Sequence, residues 1–83
     1  MKNTYRYVFG ATCPNDGETI IYGLEIRSDD RIMVEAIKDA CANWTSGFQE
    51  DIAEALHAEF PNASVQLRAQ HQGVEIVTVL EAA

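Results

Sequence analysis

Apolar and polar residues alternate with a period of two in the first part of the chain. One run covers residues 4–9, and a second covers residues 19–27. Such alternation is typical of strands that bury one face of a sheet. The gap between the runs contains Pro14, Asn15 and Gly17, residue types that favour a tight reversal of the chain. We therefore predict two strands joined as a β-hairpin.

Beyond Ser28 the apolar spacing changes to that of a helix. Apolar side chains then recur every three or four residues along one stripe. The stripe consists of Met33, Ile37, Ala40, Cys41 and Trp44. Ser28 can cap the start of this helix, and Asp29 and Asp30 favour its positive end. We predict a first helix that begins shortly after these polar residues.

A second helical stripe follows an interruption at residues 45–47. Its members are Phe48, Ile52, Leu56 and Phe60. Ser46 and Gln49 have the spacing of a capping box, which predicts a new helix start, and Pro61 prevents continuation. One unbroken helix over residues 29–59 would be about 46 Å long, against strands of about 25–30 Å. We therefore prefer two helices, or one sharply bent helix, to a single straight one.

The last third of the chain returns to alternation. Two runs, at residues 64–70 and 74–80, flank a short turn in which Gly73 can adopt positive φ. The order of elements is ββααββ, which predicts an α+β fold with a four-stranded, mostly antiparallel sheet. We expect both helices to pack on one face of that sheet. The chain has no repeat and no linker, so residues 1–83 are predicted to form a single compact domain.

Composition narrows the class of protein. Apolar residues make up 47% of the 83 positions and charged residues 23%, which is typical of soluble globular domains and excludes intrinsic disorder. Two cysteines are too few for a disulfide scaffold. No apolar run approaches the roughly 20 residues that span a bilayer, and the N-terminus lacks the apolar core of a signal peptide. We therefore expect a cytoplasmic protein without membrane contact.

Negative charge is concentrated in the helical third of the chain. The formal net charge is −7, from 13 acidic and 6 basic residues, which disfavours direct binding to nucleic acid. Most acidic residues of the helical segment fall outside the apolar stripes, so we expect them on the outer surface. The residues that we predict to bind a partner are Asp39, Glu50, Asp51 and Glu54. The simpler interpretation is a solvated face that maintains solubility, and the functional one is a surface that attracts a basic protein.

The sheet face opposite the helices is predicted to carry several β-branched residues. They are Val8, Ile21, Val77 and Val79. Strand propensity alone explains such residues, but so does contact with another subunit. Because a domain of this size buries only about 60% of its unfolded-chain surface, association would also stabilise it. We favour a homodimer over a monomer.

Few residues carry potential chemistry. Cys13 lies at a strand-to-turn junction, where we expect it to be exposed, and a catalytic thiolate there would need a neighbouring base or cation. No histidine is close in sequence, so the simpler interpretation is a loop residue without chemistry. Cys41 and Trp44 belong to the helical stripe and are expected in the core, and His57 and His71 are expected to face solvent. No CxxC or HxxxH spacing is present, so we expect no metal and no cofactor.

Three short segments, in order, carry a likeness to a known family. They are Cys13-Pro14-Asn15-Asp16-Gly17-Glu18 before a strand, Val34-Glu35 at a helix start and Phe48-Gln49-Glu50-Asp51 at the start of a second helix. Together they resemble tunnelling-fold proteins, above all the nitrile oxidoreductases of queuosine biosynthesis. The resemblance implies the same order of elements and assembly into oligomeric barrels. It also implies that Cys13 occupies the position of a covalent nucleophile, and Glu35 that of a carboxylate that anchors a purine or pterin ring.

Two hypotheses of function follow. The preferred one is a small acidic, non-enzymatic protein that binds a basic protein partner. In this hypothesis it occludes a nucleic-acid-binding surface, as small inhibitors from phages and mobile elements do. The alternative is a small oligomeric tunnelling-fold-like enzyme, or a purine- or pterin-binding protein, that uses Cys13 and Glu35.

Overall fold

The computed structural model describes the whole chain from Met1 to Ala83. Its elements, in chain order, are β1 (Asn3–Thr12), β2 (Thr19–Ser28), α1 (Val34–Ala42), α2 (Gln49–Glu59), β3 (Ser64–His71) and β4 (Val74–Leu80). The predicted ββααββ order and the α+β class are confirmed. The helical segment forms two separate helices, joined by a linker at residues 43–48.

All four strands form one antiparallel sheet in which the spatial order follows the chain order. One row of partners across the sheet consists of Val8, Gly23, Arg68 and Val77. The β3–β4 turn has positive φ at Gln72 (53°) and Gly73 (81°), which is the backbone of a two-residue hairpin turn. The predicted positive φ of Gly73 is therefore confirmed. This turn fixes the register of the second hairpin.

The helices cover one face of the sheet and form the core with it. Ile26, Val65 and Leu67 from the sheet, and Ile52 and Leu56 from α2, are at most 1% exposed. Helix α2 packs on β3 and β4, and α1 packs beside α2. Burial of each such side chain stabilises the fold by about 1.5–3 kcal/mol, so this seam holds the helices on the sheet. Neither helix has the length and apolar character that crossing a membrane requires.

Helix α1 starts without the side-chain cap that the sequence suggested. It begins at Val34, and the preceding Met33 makes no capping hydrogen bond through its side chain. The hydroxyl of Ser28 instead accepts a hydrogen bond from the Asp30 N–H at 3.0 Å. Ser28 therefore closes a turn at the end of β2, several residues before the helix, and the predicted helix cap is wrong.

Helix α2 also lacks its predicted cap. It begins directly with Gln49, after Phe48, and no side chain caps its first turn. The side chain of Gln49 is buried and donates a hydrogen bond to the Leu67 carbonyl on β3 at 2.8 Å. A capping box of Ser46 and Gln49 is therefore wrong, because the glutamine side chain binds the sheet instead of the helix terminus.

The sheet face opposite the helices is exposed. Its β-branched residues, all between 46% and 65% exposed, are Val8, Ile21, Val77 and Val79. Beside them, Glu25 accepts hydrogen bonds from Arg6 at 3.0 Å and Arg27 at 3.1 Å. Burial raises the pKa of Glu25, but the hydrogen bonds and charges of the two arginines outweigh it and hold that pKa below its ordinary value. A homodimer through this face stays a prediction.

Candidate active site around Cys13

One end of the sheet brings together segments that are distant in sequence. Antiparallel pairing places Thr12, the last residue of β1, opposite Thr19, the first residue of β2. Because β3 runs antiparallel to β2, the end of β3 lies at this same end, where His71 pairs with Val74. The β1–β2 turn and the β3–β4 turn are therefore neighbours.

Cys13 lies in the β1–β2 turn, directly after β1. Its N–H donates a hydrogen bond to the Glu18 carbonyl at 2.8 Å, and its carbonyl accepts one from the Gly17 N–H at 2.9 Å. Cys13 is only 5% exposed, so the expectation of an exposed residue is wrong. These two hydrogen bonds hold the turn closed.

The linker between α1 and α2 is bound to the end of β1. Thr12 donates its N–H to the Thr45 carbonyl at 2.9 Å, and the Gly47 N–H donates to the Thr12 carbonyl at 3.1 Å. Gly47 has φ of 157°, and a Cβ at this position would lie 2.9 Å from the ring of Trp44. Trp44 itself packs against the core, as expected. The absence of a side chain at Gly47 therefore lets the linker lie close to both β1 and the Trp44 ring.

The buried side chain of Gln49 holds the start of α2 against the sheet. Besides its hydrogen bond to Leu67, its amide nitrogen lies 3.0 Å from the Ile76 carbonyl and 3.3 Å from the Thr78 hydroxyl. These contacts join the first residue of α2 to both β3 and β4. The residues on either side of Gln49 are thereby held over the end of the sheet.

His71 lies against Asp16 and does not project into solvent, so the expectation for this histidine is wrong. Its Nε2 is 2.8 Å from Asp16 Oδ2, and the two side chains are 22% and 27% exposed. The Gln72 amide donates to the same carboxylate oxygen at 3.1 Å, and the Glu18 N–H donates to Oδ1 at 3.0 Å. Both oxygens of Asp16 therefore have hydrogen-bond donors.

These donors keep Asp16 ionised. The hydrogen bond from the Glu18 N–H, followed by that from His71, lowers the pKa of Asp16 to about 2. Because a carboxylate only accepts hydrogen bonds, the ring nitrogen of His71 that faces Asp16 carries a hydrogen. In a neutral imidazole the other ring nitrogen is then free to accept a proton.

Cys13 completes a cluster with this pair. The sulfur of Cys13, a carboxylate oxygen of Asp16 and a ring nitrogen of His71 all lie within 4.8 Å of one another. A thiol beside an imidazole that a carboxylate orients is the arrangement used by nucleophilic cysteines. The end of β3 thus brings to Cys13 an imidazole that the neighbouring sequence does not provide.

The cluster opens onto a cleft of about 200 Å³. The cleft is lined by Cys13, Asn15, Ile20, Tyr22, Gly47, Phe48, Gln49, Glu50, His71 and Ile76. Burial, and then the charges of Cys13 and Glu50, raise the pKa of Tyr22 above its ordinary value of 10.0. Tyr22 is therefore a neutral phenol at physiological pH. The cleft combines aromatic surface with one carboxylate, which suits a flat, polar, ring-shaped ligand.

The other predicted site residues lie away from Cys13, with one exception. Glu50 lines the cleft, whereas Glu35 is exposed on α1 and is not part of its lining. Asp39, Asp51 and Glu54 are exposed on the helices, as expected. Within the chain, Glu50 therefore lines the cleft beside Cys13, and the role of Glu35 stays a prediction.

The second cysteine and the second histidine have no part in the cleft lining. Cys41 is 2% exposed in the core, as expected, and burial raises its pKa to about 11. His57 is half-buried on α2, and its Nε2 is buried without a hydrogen-bond partner, so the expectation that it faces solvent is wrong. The turn of α2 that carries His57 lies closer to the core than its polar sequence suggested.

Comparison with known proteins finds a similarity of fold. No family model and no curated protein matches the sequence. The crystal structure of the archaeosine synthase QueF-Like in the apo form has a similar fold, with a TM-score of 0.86. The match covers 99% of this chain and 94% of that chain, at 14% sequence identity. The predicted resemblance to the tunnelling fold is therefore confirmed at the level of the fold.

Proposed function

We propose that this protein binds a planar nitrogen heterocycle of the purine or pterin class and attacks it with the thiol of Cys13. The observation that supports this most strongly is the position of the Cys13 sulfur, within 4.8 Å of His71 and Asp16 at the wall of a cleft. A cysteine nucleophile needs such a proton acceptor. The fold shared with an archaeosine synthase supports the same class of function.

The proposed reaction is an addition. The sulfur of Cys13 forms a bond to an electrophilic carbon, for which a nitrile carbon is the type that the family resemblance implies. One π bond of the nitrile breaks, and the thiol proton moves through His71 to the nitrile nitrogen. The product is a thioimidate, and the step needs neither an oxidant nor a reductant. Asp16 orients the imidazole and stabilises its protonated form.

Glu50 is the residue that we assign to recognition of the ring. Its carboxylate accepts hydrogen bonds, so it suits the N–H groups along one edge of a purine or pterin. Phe48, which is 48% exposed at the cleft, offers an aromatic surface for stacking. We assign Glu50 in place of Glu35 because only Glu50 lines the cleft.

Intact-mass spectrometry with a cyano-substituted pyrimidine as probe tests the proposal. Because addition loses no atom, the chain should gain the full mass of one probe molecule. Cys13→Ser should abolish the gain, and Cys41→Ala is the matched control that should retain it. His71→Gln should slow adduct formation by about 10²–10⁴-fold, the usual contribution of a general base, whereas His57→Gln should not.

An adduct that forms equally in Cys13→Ser would contradict the proposal. So would a wild-type rate no higher than that of a short cysteine peptide with the same probe. Peptide mapping after trapping locates the modified residue and makes the result independent of variant stability.

Binding of a basic protein is a second candidate function, supported by the exposed acidic residues of the helices. Asp39, Asp51 and Glu54 are exposed, and none of them forms an ion pair within the chain. Unpaired surface charge of one sign attracts partners of opposite charge. In this proposal the helical face occupies the nucleic-acid-binding surface of its partner, with Glu50 at the rim of the face.

Charge reversal separates this candidate from the first. A triple variant, Asp39→Lys with Asp51→Lys and Glu54→Lys, should lose a partner that wild-type protein retains, and added salt or DNA should displace that partner from the wild type. Glu50 stays unchanged in this variant because it lines the cleft. A retained partner that salt does not displace would contradict the electrostatic mechanism, while Cys13 chemistry would be unaffected.

A further inference from the structure

We propose that Cys13, Asp16 and His71 form a binding site for a single Zn²⁺ ion. The three side chains offer one sulfur, one oxygen and one nitrogen donor, all within 4.8 Å of one another. This donor set was not expected from the sequence, because two of its members are separated from the third by the whole helical segment. The proposal goes beyond the thiol chemistry of Cys13 and does not depend on it.

The distances suit a small tetrahedral ion. Ligand atoms bound to zinc at about 2.0–2.3 Å lie roughly 3.3–3.8 Å apart in a tetrahedron. In the cluster Nε2 of His71 and Oδ2 of Asp16 are 2.8 Å apart, and no two donor atoms are more than 4.8 Å apart. These separations bracket the distances between the ligands of a tetrahedral zinc ion.

The surroundings of the three residues keep them in place. The backbone of Cys13 is held by hydrogen bonds to Glu18 and Gly17, and Oδ1 of Asp16 accepts the Glu18 N–H. Oδ2 of Asp16 accepts hydrogen bonds from His71 and Gln72, and an ion would replace the hydrogen bond with His71. Outer hydrogen bonds of this kind orient metal ligands and raise their affinity. The β1–β2 turn is thus organised before an ion binds.

A fourth ligand position lies beside Glu18. One carboxylate oxygen of Glu18 is 3.5 Å from Nε2 of His71, and its side chain is 50% exposed. A water molecule in this position gives an open site with three protein ligands, whereas Glu18 gives a closed site with four. The thiolate donor favours zinc over magnesium and calcium, which prefer oxygen ligands. Zinc and a covalent ligand would compete for the sulfur of Cys13.

Titration of the metal-free protein with Co²⁺, as a spectroscopic substitute for Zn²⁺, tests the site. We expect a thiolate-to-cobalt charge-transfer band that saturates at one ion per chain and disappears when Zn²⁺ is added. Matched pairs of variants separate the site from the rest of the chain. Cys13→Ser, His71→Gln and Asp16→Asn should weaken binding by more than the roughly 10–100-fold typical of outer-shell changes. Cys41→Ala, His57→Gln and Asp51→Asn should not.

A measurement on the unmodified chain guards against variants that fail to fold. Stoichiometric Zn²⁺ should slow alkylation of Cys13 by iodoacetamide at least tenfold, and a chelator should restore the rate. The proposal is overturned if no charge-transfer band appears, if Cys13→Ser retains it, or if zinc leaves the alkylation rate unchanged. This test does not measure the addition of the Cys13 thiol to a nitrile in the metal-free protein. The zinc site and the thiol chemistry can therefore be contradicted independently.

Discussion

The two cysteines show how position in the fold changes the chemistry of one residue type. Cys13 and Cys41 are both buried, at 5% and 2% exposure. Both also belong to the core cluster, where burial raises the pKa of Cys41 to about 11. Cys13 lines a cleft and has an imidazole and a carboxylate within 4.8 Å. Accessible surface alone does not distinguish the two thiols, whereas their neighbours do.

The difference follows from where each cysteine lies relative to the sheet. Cys41 projects from α1 into the space between helices and sheet, where the side chains that surround it are apolar. Cys13 lies at the end of the sheet, where hairpin turns bring polar side chains together. The end of a sheet can therefore hold reactive polar side chains that its centre cannot, because the turns there supply hydrogen bonds to those side chains.

The largest expected effect is in the rate of alkylation of the two thiols. Iodoacetamide should modify Cys13 at least about 10³-fold faster than Cys41, because reagent reaches Cys41 only when the protein unfolds, a state populated at about 10⁻³ or less. Peptide-level mass spectrometry over a time course gives both rates from one sample. Similar rates for the two cysteines would show that the cleft gives no access to Cys13.

Gln49 should be the most important polar side chain for the wall of the cleft. Gln49→Ala removes its contacts with Leu67, Ile76 and Thr78 and leaves buried acceptors without their donor, so unfolding free energy should fall by about 2–3 kcal/mol. Gln70→Ala, on an exposed position of β3, is the matched control and should stay within about 0.5 kcal/mol of wild type. Urea denaturation measures both. Equal stability of the two variants would contradict the structural role of Gln49.

Replacement of each cysteine by serine should lower the stability of the protein by different amounts in the core and at the cleft. Cys41→Ser places a hydroxyl in the apolar core and should cost about 1–2 kcal/mol. Cys13→Ser introduces the hydroxyl beside the polar side chains of Asp16 and His71 and should therefore cost less than Cys41→Ser. The midpoints of thermal unfolding give the order of the two effects. A larger loss for Cys13→Ser would mean that this thiol, and not Cys41, is the structural one.

The smallest effect is expected on the open sheet face, which carries neither cysteine. Glu25 has a depressed pKa in the folded chain, so its contribution to stability is present above its ordinary pKa of 4.5 and is lost as pH falls through the lower folded value. Glu25→Gln should therefore show a shallower loss of stability below pH 4.5 than wild type. Denaturation curves at several acidic pH values measure how steeply the free energy of unfolding falls with pH. An unchanged slope would contradict the assigned role of Arg6 and Arg27.

The strands and helices could be predicted because their apolar periods reflect burial on one side. The alternation of Tyr22, Leu24 and Ile26 faces the helices in the structure, as the period of two indicates. Helix caps were predicted wrongly because local spacing does not include tertiary contacts. The side chain of Gln49 bonds to the sheet, which is more favourable than a helix cap only once β3 and β4 are present.

The site around Cys13 was only partly predictable. The turn chemistry of residues 13–17 identified Cys13, but His71 lies far along the chain and its contact depends on strand pairing. The order of elements does not determine this contact, which requires that β3 pair with β2 in the sheet. The burial of Cys13 was not predictable, because turn residues are usually exposed and the core cluster that contains Cys13 forms only in the folded chain.

Protection of Cys13 by a ligand tests the central claim most directly. Iodoacetamide modification of Cys13 is followed at increasing concentrations of guanine or pterin, with Cys41 as an internal reference. If the cleft binds a planar heterocycle over the thiol, the rate at Cys13 falls along a saturation curve, and Glu50→Gln shifts that curve to higher concentration while Glu35→Gln does not. A rate at Cys13 that stays constant at every concentration of both heterocycles would contradict the account.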